Sequence, residues 1–152
     1  MRILMTNRYA RAARQSNMDA NFALAHNQLA QAHLAKHMNE EAIVELQKAV
    51  QLSGGSPTCI ASLAGAYAAS GKRSEAVELL SKLKKRSIPG YSDASEISVI
   101  YVALGDKDQA INWLEKAFEE HFNPSVLLRP GFDPLRLDAR FEDLEHRIGL
   151  PR

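Results

Sequence analysis

Three histidines near the start of the chain are the first residues whose spacing could support chemistry. His33 and His37 are four residues apart, which would place both side chains on one face of a helix, and His26 lies nearby. No cysteine or carboxylate stands at a matching ligand spacing, and two of the three histidines occupy positions that are structural in the repeat described below. We therefore expect them to pack in the core or in turns, and we predict no metal site.

Nucleophilic and acid–base chemistry has equally little support. Cys59 is the only cysteine, and a nucleophilic thiol needs a paired base, which the sequence does not identify. A cluster of carboxylates is interspersed with Lys107 and Lys116, as on a solvated helix surface; its members are Asp106, Asp108, Glu115, Glu119 and Glu120. The motifs GxGxxG, GxxxxGK[ST], HExxH and GxSxG are absent. We predict that the chain is not an enzyme and needs no cofactor.

Composition narrows the classes of partner. The 152 residues are 45% hydrophobic and 24% charged, with a net charge of +1, which is ordinary for a globular chain. Proteins that bind nucleic acid usually carry a strong basic excess, so a nucleic-acid partner is not expected. A lone cysteine fits a reducing compartment. Neither a signal peptide nor an apolar membrane span is recognisable, so the sequence predicts a cytoplasmic protein without a membrane partner.

An internal repeat settles most of the architecture. Three windows of 34 residues follow one another without a gap, at 23–56, 57–90 and 91–124. Small or apolar residues recur at the same places in each window. Position 7 holds Leu29, Leu63 and Ile97; position 8 holds Ala30, Ala64 and Ser98; position 20 holds Ala42, Ala76 and Ala110; position 24 holds Leu46, Leu80 and Leu114.

Within each window, apolar residues recur at spacings of three, four and seven, which predicts two amphipathic helices. Gly71 and Gly105, at position 15, are well placed to end the first helix of their windows. Asp106 with Gln109 resembles a capping box that opens the next helix. Each window is therefore predicted to form a helical hairpin, in which the small residues at positions 8 and 20 allow close contact.

These residues resemble the tetratricopeptide repeat. The family has small residues at positions 8 and 20, leucine at 7, tyrosine at 11 and glycine at 15, whereas the first window has His33 and His37 at positions 11 and 15. The resemblance implies an all-α, right-handed α-solenoid with three complete repeats at 23–56, 57–90 and 91–124. Residues 1–22 resemble the second helix of a preceding repeat with its exit turn. Residues 125–152 form a C-terminal capping segment, whose helix is predicted to begin after an N-cap at Asp138 and to stop at Gly149.

The resemblance also implies a function, namely that a protein or peptide partner lies along the first helices of the hairpins. The corresponding groove positions are Leu24, Asn27, Gln28, Gln31 and Leu34 in the first repeat, Thr58, Ala61, Ser62 and Gly65 in the second, and Ser92, Ser95, Glu96 and Val99 in the third. The alternative is that these residues simply face solvent and bind no partner. Chaperone-tail clamps of this family need lysine, arginine and asparagine there. Lysine and arginine are absent from these positions, so we expect no binding of acidic chaperone C-terminal tails, which Glu96 would also repel.

Two other interpretations stay open. Apolar residues at the N-terminus (Ile3, Leu4 and Met5) would favour self-association, with an end helix packing against a second copy to form a homodimer. The tail from Phe132 to Pro151 looks like that of repeat arrays in bacterial signalling proteins. The chain would then be the C-terminal part of a larger regulator, or an appendage of a catalytic or DNA-binding protein.

Overall fold

A computed structural model describes residues 2–86, 92–120 and 123–149. In the first helix it describes the backbone from residue 2, but the side chains only at 14–15 and from 18 onward. These residues form helices and turns without a strand, so the predicted all-α fold is confirmed. The α-helices are α1 (Arg2–Ala35), α2 (Asn39–Leu52), α3 (Pro57–Ala69), α4 (Arg73–Lys85), α5 (Ala94–Ala103), α6 (Lys107–Glu119) and α7 (Ala139–Ile148). Two 3-10 helices, Pro124–Leu128 and Pro130–Leu135, lie between α6 and α7.

The chain divides into two compact units, Met1–Leu63 (unit 1) and Ala64–Arg152 (unit 2). In unit 1, α1 packs against α2. In unit 2, α4 packs against α5, α5 packs against α6 and the second 3-10 helix, and α6 packs against α7. Among the described helices, none is both long enough and apolar enough to cross a membrane.

The turn between the two helices of each hairpin is closed in the same way three times. The amide at position 16 donates to the carbonyl at position 11, from Met38 to His33 at 2.9 Å, from Lys72 to Tyr67 at 2.8 Å and from Asp106 to Tyr101 at 3.0 Å. This is the longer bond of the Schellman motif, which requires a left-handed residue directly after the helix. That residue is at position 15: Gly71 and Gly105 have φ of 79°, and His37 has φ of 59°.

Small residues at positions 8 and 20 bring the two helices of each hairpin together. Ala30, Ala64 and Ser98 have no exposed surface, and the alanines at position 20 have none either. In the third hairpin the Ser98 hydroxyl donates to the Ala110 carbonyl at 2.7 Å. A hydroxyl can therefore replace alanine at position 8 because its polar atom finds a backbone acceptor on the facing helix.

The N-terminal segment differs from the expectation. Residues 1–22 resemble a second helix followed by an exit turn, yet Arg2–Ala35 is one uninterrupted helix. The first glycine in the chain is Gly54, and no proline precedes Pro57, so no residue in this stretch forces the helix to end. At about 1.5 Å per residue, α1 is roughly 51 Å long and α2 only about 21 Å.

The C-terminal segment is part of the core of unit 2. Phe132, Leu135, Phe141 and Leu144 have no exposed surface and pack with residues of α5 and α6. As predicted, Asp138 caps α7, where its carboxylate accepts the Arg140 amide at 3.0 Å, and Gly149 ends the helix with φ of 79°. Hydrogen bonds from the Arg140 side chain lower the pKa of Asp138 to about 2.

The left-handed conformation of His37 makes a substitution there informative. We expect His37→Gly to stabilise the chain by about 1 kcal/mol, because glycine adopts this conformation without a Cβ clash. Gly71→Ala should destabilise it by a similar amount for the opposite reason. Urea unfolding measures both. Destabilisation by His37→Gly would contradict the assigned turn.

A larger side chain at position 20 should force the paired helices apart. We expect Ala110→Leu to lower the free energy of unfolding by about 1–3 kcal/mol through overpacking. The control is Asn112→Leu on the exposed side of α6, where a change within about 0.5 kcal/mol is expected. Equal effects of the two substitutions in thermal melts would argue against the close contact.

Candidate functional site

The predicted groove residues of α1 lie largely at the surface of unit 1. Leu24 is 58% exposed, Gln28 and Gln31 are exposed, and Asn27 and Leu34 are half-buried. An exposed leucine beside three amide side chains gives one apolar contact and several hydrogen-bonding groups on the same helix. Such a surface can bind both the side chains and the backbone of a peptide.

Asn27 connects α1 to the beginning of α3. Its Nδ2 donates to the Ser62 hydroxyl at 3.3 Å and contacts the Cys59 sulfur at 3.8 Å. Two predicted groove residues from separate repeats, Asn27 and Ser62, are therefore adjacent. Cys59 is only 7% exposed, and its neighbour is an amide, which cannot act as the base that thiol catalysis requires.

The burial of Ala61 corrects its assignment to an open groove. Ala61 has no exposed surface, so it cannot contact a partner in this conformation. The reason lies in α3, whose buried residues are not confined to one stripe; they include Pro57, Cys59, Ala61, Leu63, Ala64 and Ala66. A helix whose apolar residues spread around most of its circumference is covered on more than one side. Thr58 remains exposed, and Gly65 faces open space, since a Cβ built there meets no atom within 4 Å.

The third-repeat positions are partly covered by the chain itself. Glu96 is only 7% exposed, and the Arg129 guanidinium donates to both of its carboxylate oxygens, at 2.7 and 3.1 Å. Val99 lies against Gly131, where a Cβ would come within 3.2 Å of it. Glu96 is therefore unavailable to a partner, and its charge is offset by Arg129, so the expected repulsion of an acidic tail by Glu96 loses its basis. Ser92 is exposed and Ser95 is half-buried.

The N-terminal histidines act within the first hairpin. His26 Nδ1 lies 2.5 Å from a carboxylate oxygen of Glu45 on α2, and Lys48 donates to the other oxygen at 2.8 Å. Lys48 first, and His26 second, hold the pKa of the Glu45 carboxyl below its usual value. His37 forms the turn described above. Each of these two histidines has a structural contact or position in the hairpin.

The arginines of the tail were missed in the sequence. Arg136 donates to the Leu127 carbonyl at 3.1 Å and to Glu145 at 2.8 Å, and so joins the first 3-10 helix to α7. Arg129 pairs with a residue 33 positions earlier. Basic residues in a segment without helical periodicity give no indication of their acceptors, so only the structure could assign these contacts.

A small cavity of about 200 Å³ in unit 2 was also not foreseen. It is lined by residues of α4, α5 and α6, such as Trp113, and by residues that flank α4 and α5, among them Arg86 and Asp93. Burial raises the pKa of the Asp93 carboxyl, which lies 3.3 Å from Arg86. Lys84 donates to the Tyr101 hydroxyl at 3.2 Å and lies over the Trp113 ring. Lys84, near the end of α4, and Arg86, directly after it, therefore make contacts within unit 2.

Comparison with known proteins supports the family resemblance. A family model described as tetratricopeptide repeat matches residues 96–120, which cover most of α5 and all of α6. No curated protein and no solved structure matches the chain. The resemblance to the tetratricopeptide repeat is confirmed by this match. Repeats of this family generally mediate protein–protein interaction.

The Glu96–Arg129 pair should contribute measurably to the stability of unit 2. We expect a double-mutant cycle with Glu96→Gln and Arg129→Gln to give a coupling energy of about 1–3 kcal/mol, since both hydrogen bonds are charged and largely buried.

The matched control is Asp108–Arg140, an ion pair of similar sequence separation whose side chains are 81% and 49% exposed. Its coupling should stay below about 1 kcal/mol. Equal coupling energies for the two pairs in urea unfolding would show that burial of Glu96 has no energetic consequence.

Proposed function

We propose that the chain is a non-catalytic protein-interaction scaffold. In unit 1, its peptide-binding surface consists of Leu24, Asn27, Gln28, Gln31 and Leu34 of α1 together with Thr58 and Ser62 of α3. The observation that carries the proposal is the 58% exposure of Leu24 on the same helix as the exposed amides of Gln28 and Gln31. The family match at 96–120 supports a role of this class.

The chemistry of this surface favours an extended or helical segment without a strong charge. Leu24 offers an apolar contact, and removing apolar surface from water is favourable by about 25 cal/mol per Å². Asn27 is already oriented by Ser62, so little side-chain entropy is lost when a peptide backbone hydrogen-bonds to it. Because lysine and arginine are absent from these seven positions, we propose that acidic chaperone tails are not the partner.

The groove positions in unit 2 form a second, smaller surface in the proposal. Gly65, Ser92, Ser95 and Val99 are half-buried or exposed. The small side chains of the first three leave room for a bound segment, whereas Val99 is partly covered by Gly131. Glu96 holds Arg129 in position through two hydrogen bonds and is not proposed to contact the partner. The proposed contacts in unit 2 are therefore apolar or hydroxyl contacts, with no free carboxylate from Glu96.

The test is a selection of peptides from a random display library against the intact chain, followed by affinity measurements on variants. We expect Leu24→Glu and Gln31→Ala each to weaken the selected peptides about tenfold, equivalent to about 1.4 kcal/mol. The control is Gln51→Ala, at an exposed position on α2, which should change affinity less than about twofold. A library that yields no binder, or binders indifferent to both α1 substitutions, would contradict the proposal.

A further inference from the structure

An exposed apolar strip runs along α1 in unit 1, on a different side of the helix from the proposed peptide-binding residues. We define the α1 strip as Met18, Phe22, Ala25 and Leu29. Their spacings of four, three and four place them on one face. Met18 is 52% exposed, Phe22 54% and Leu29 47%, and Ala25 is exposed as well.

The repeat pattern indicates what normally lies on such a face. Leu29 is at position 7, where the equivalent Leu63 and Ile97 are only 5% and 3% exposed. In unit 2, α4 of the preceding hairpin packs against α5, and Leu83 of α4 lines the same cavity as Ile97. The face at position 7 is thus built to receive a helix. On α1, no helix formed by the described residues of unit 1 covers this face. The residues before the first repeat cannot fold back over it, because Arg2–Ala35 continues as one helix.

Stacking of the α1 strip onto α7 of a second copy is disfavoured by the charges of α7. The buried side of α7 holds Phe141 and Leu144, whereas its exposed residues are predominantly charged or polar; they include Arg140, Glu142, Asp143, His146 and Arg147. Covering these groups with an apolar strip would remove them from water without compensation. An isologous contact, in which the same strip meets itself, avoids this cost.

We propose that the α1 strip is a dimerisation surface on which α1 of a second copy packs antiparallel. The strip is self-complementary about Ala25. With the two-fold axis near this small residue, Phe22 would lie against Leu29 of the partner subunit, and Met18 beside the exposed Ala32 of the partner subunit. Ala25 at the crossing allows close approach of the two helices, and the large side chains on either side fill the flanks.

Sedimentation velocity of the intact chain from about 1 to 100 µM tests the proposal, a range chosen to bracket micromolar affinity. We expect a concentration-dependent dimer, and we expect Phe22→Glu to weaken it at least about tenfold because an unpaired carboxylate would be buried. Ala20→Glu is the matched control, since it introduces the same charge at an exposed position on the opposite side of α1, and it should leave dimerisation unchanged. Circular dichroism checks that both variants remain folded.

Cross-linking gives an independent measurement of the geometry. Oxidation should join Ala25→Cys chains covalently, because this residue lies near its own equivalent across the two-fold axis, whereas Ala20→Cys chains should stay separate. The native Cys59 is buried, so the unsubstituted chain gives the background level of cross-linking. A monomer at every concentration, as expected if the strip receives a different helix, overturns the proposal. A dimer that is indifferent to Phe22→Glu overturns it too.

Discussion

The close contact between the two helices of each hairpin is the constraint on which the rest of the structure depends. It requires a residue no larger than alanine or serine at positions 8 and 20, and a left-handed residue at position 15 that reverses the chain over a short distance. Ser98 and Ala110 show how tight the contact is, because the hydroxyl of one reaches the carbonyl of the other at 2.7 Å. A larger side chain at either place would separate the helices and expose the apolar residues at position 24 to water.

The features that repeat could be predicted from the sequence, because each of them is encoded three times. Positions 8, 15 and 20 carry the same steric requirement three times, so a single departure such as His37 does not obscure the pattern. The structure keeps the requirement at that position, since His37 adopts the left-handed conformation of the two glycines. The caps at Asp138 and Gly149 were also predictable, because their hydrogen bonds or backbone angles depend on residues only a few positions away.

Features that occur once, or that depend on distant residues, could not be predicted. The bond between Arg129 and Glu96 spans a turn, a helix and a 3-10 segment, and neither residue indicates the other in the sequence. Glu96 therefore stood among the groove residues although it is buried. Ala61 was assigned to the groove by the family pattern, which takes no account of how apolar α3 is on its other sides. The exit turn expected before residue 23 does not form; the residues of this stretch permit a continuous helix, and α1 ends only at Ala35, before the left-handed His37.

Residues thirty-four apart occupy equivalent places in the three hairpins, and native-state hydrogen exchange measures this equivalence at the backbone. The amides of Met38, Lys72 and Asp106 each donate to the carbonyl at position 11 of their own repeat, so all three should be protected from exchange although they lie outside helices. Exchange of any one of them at the rate of an unstructured peptide would contradict the equivalence of the three hairpins.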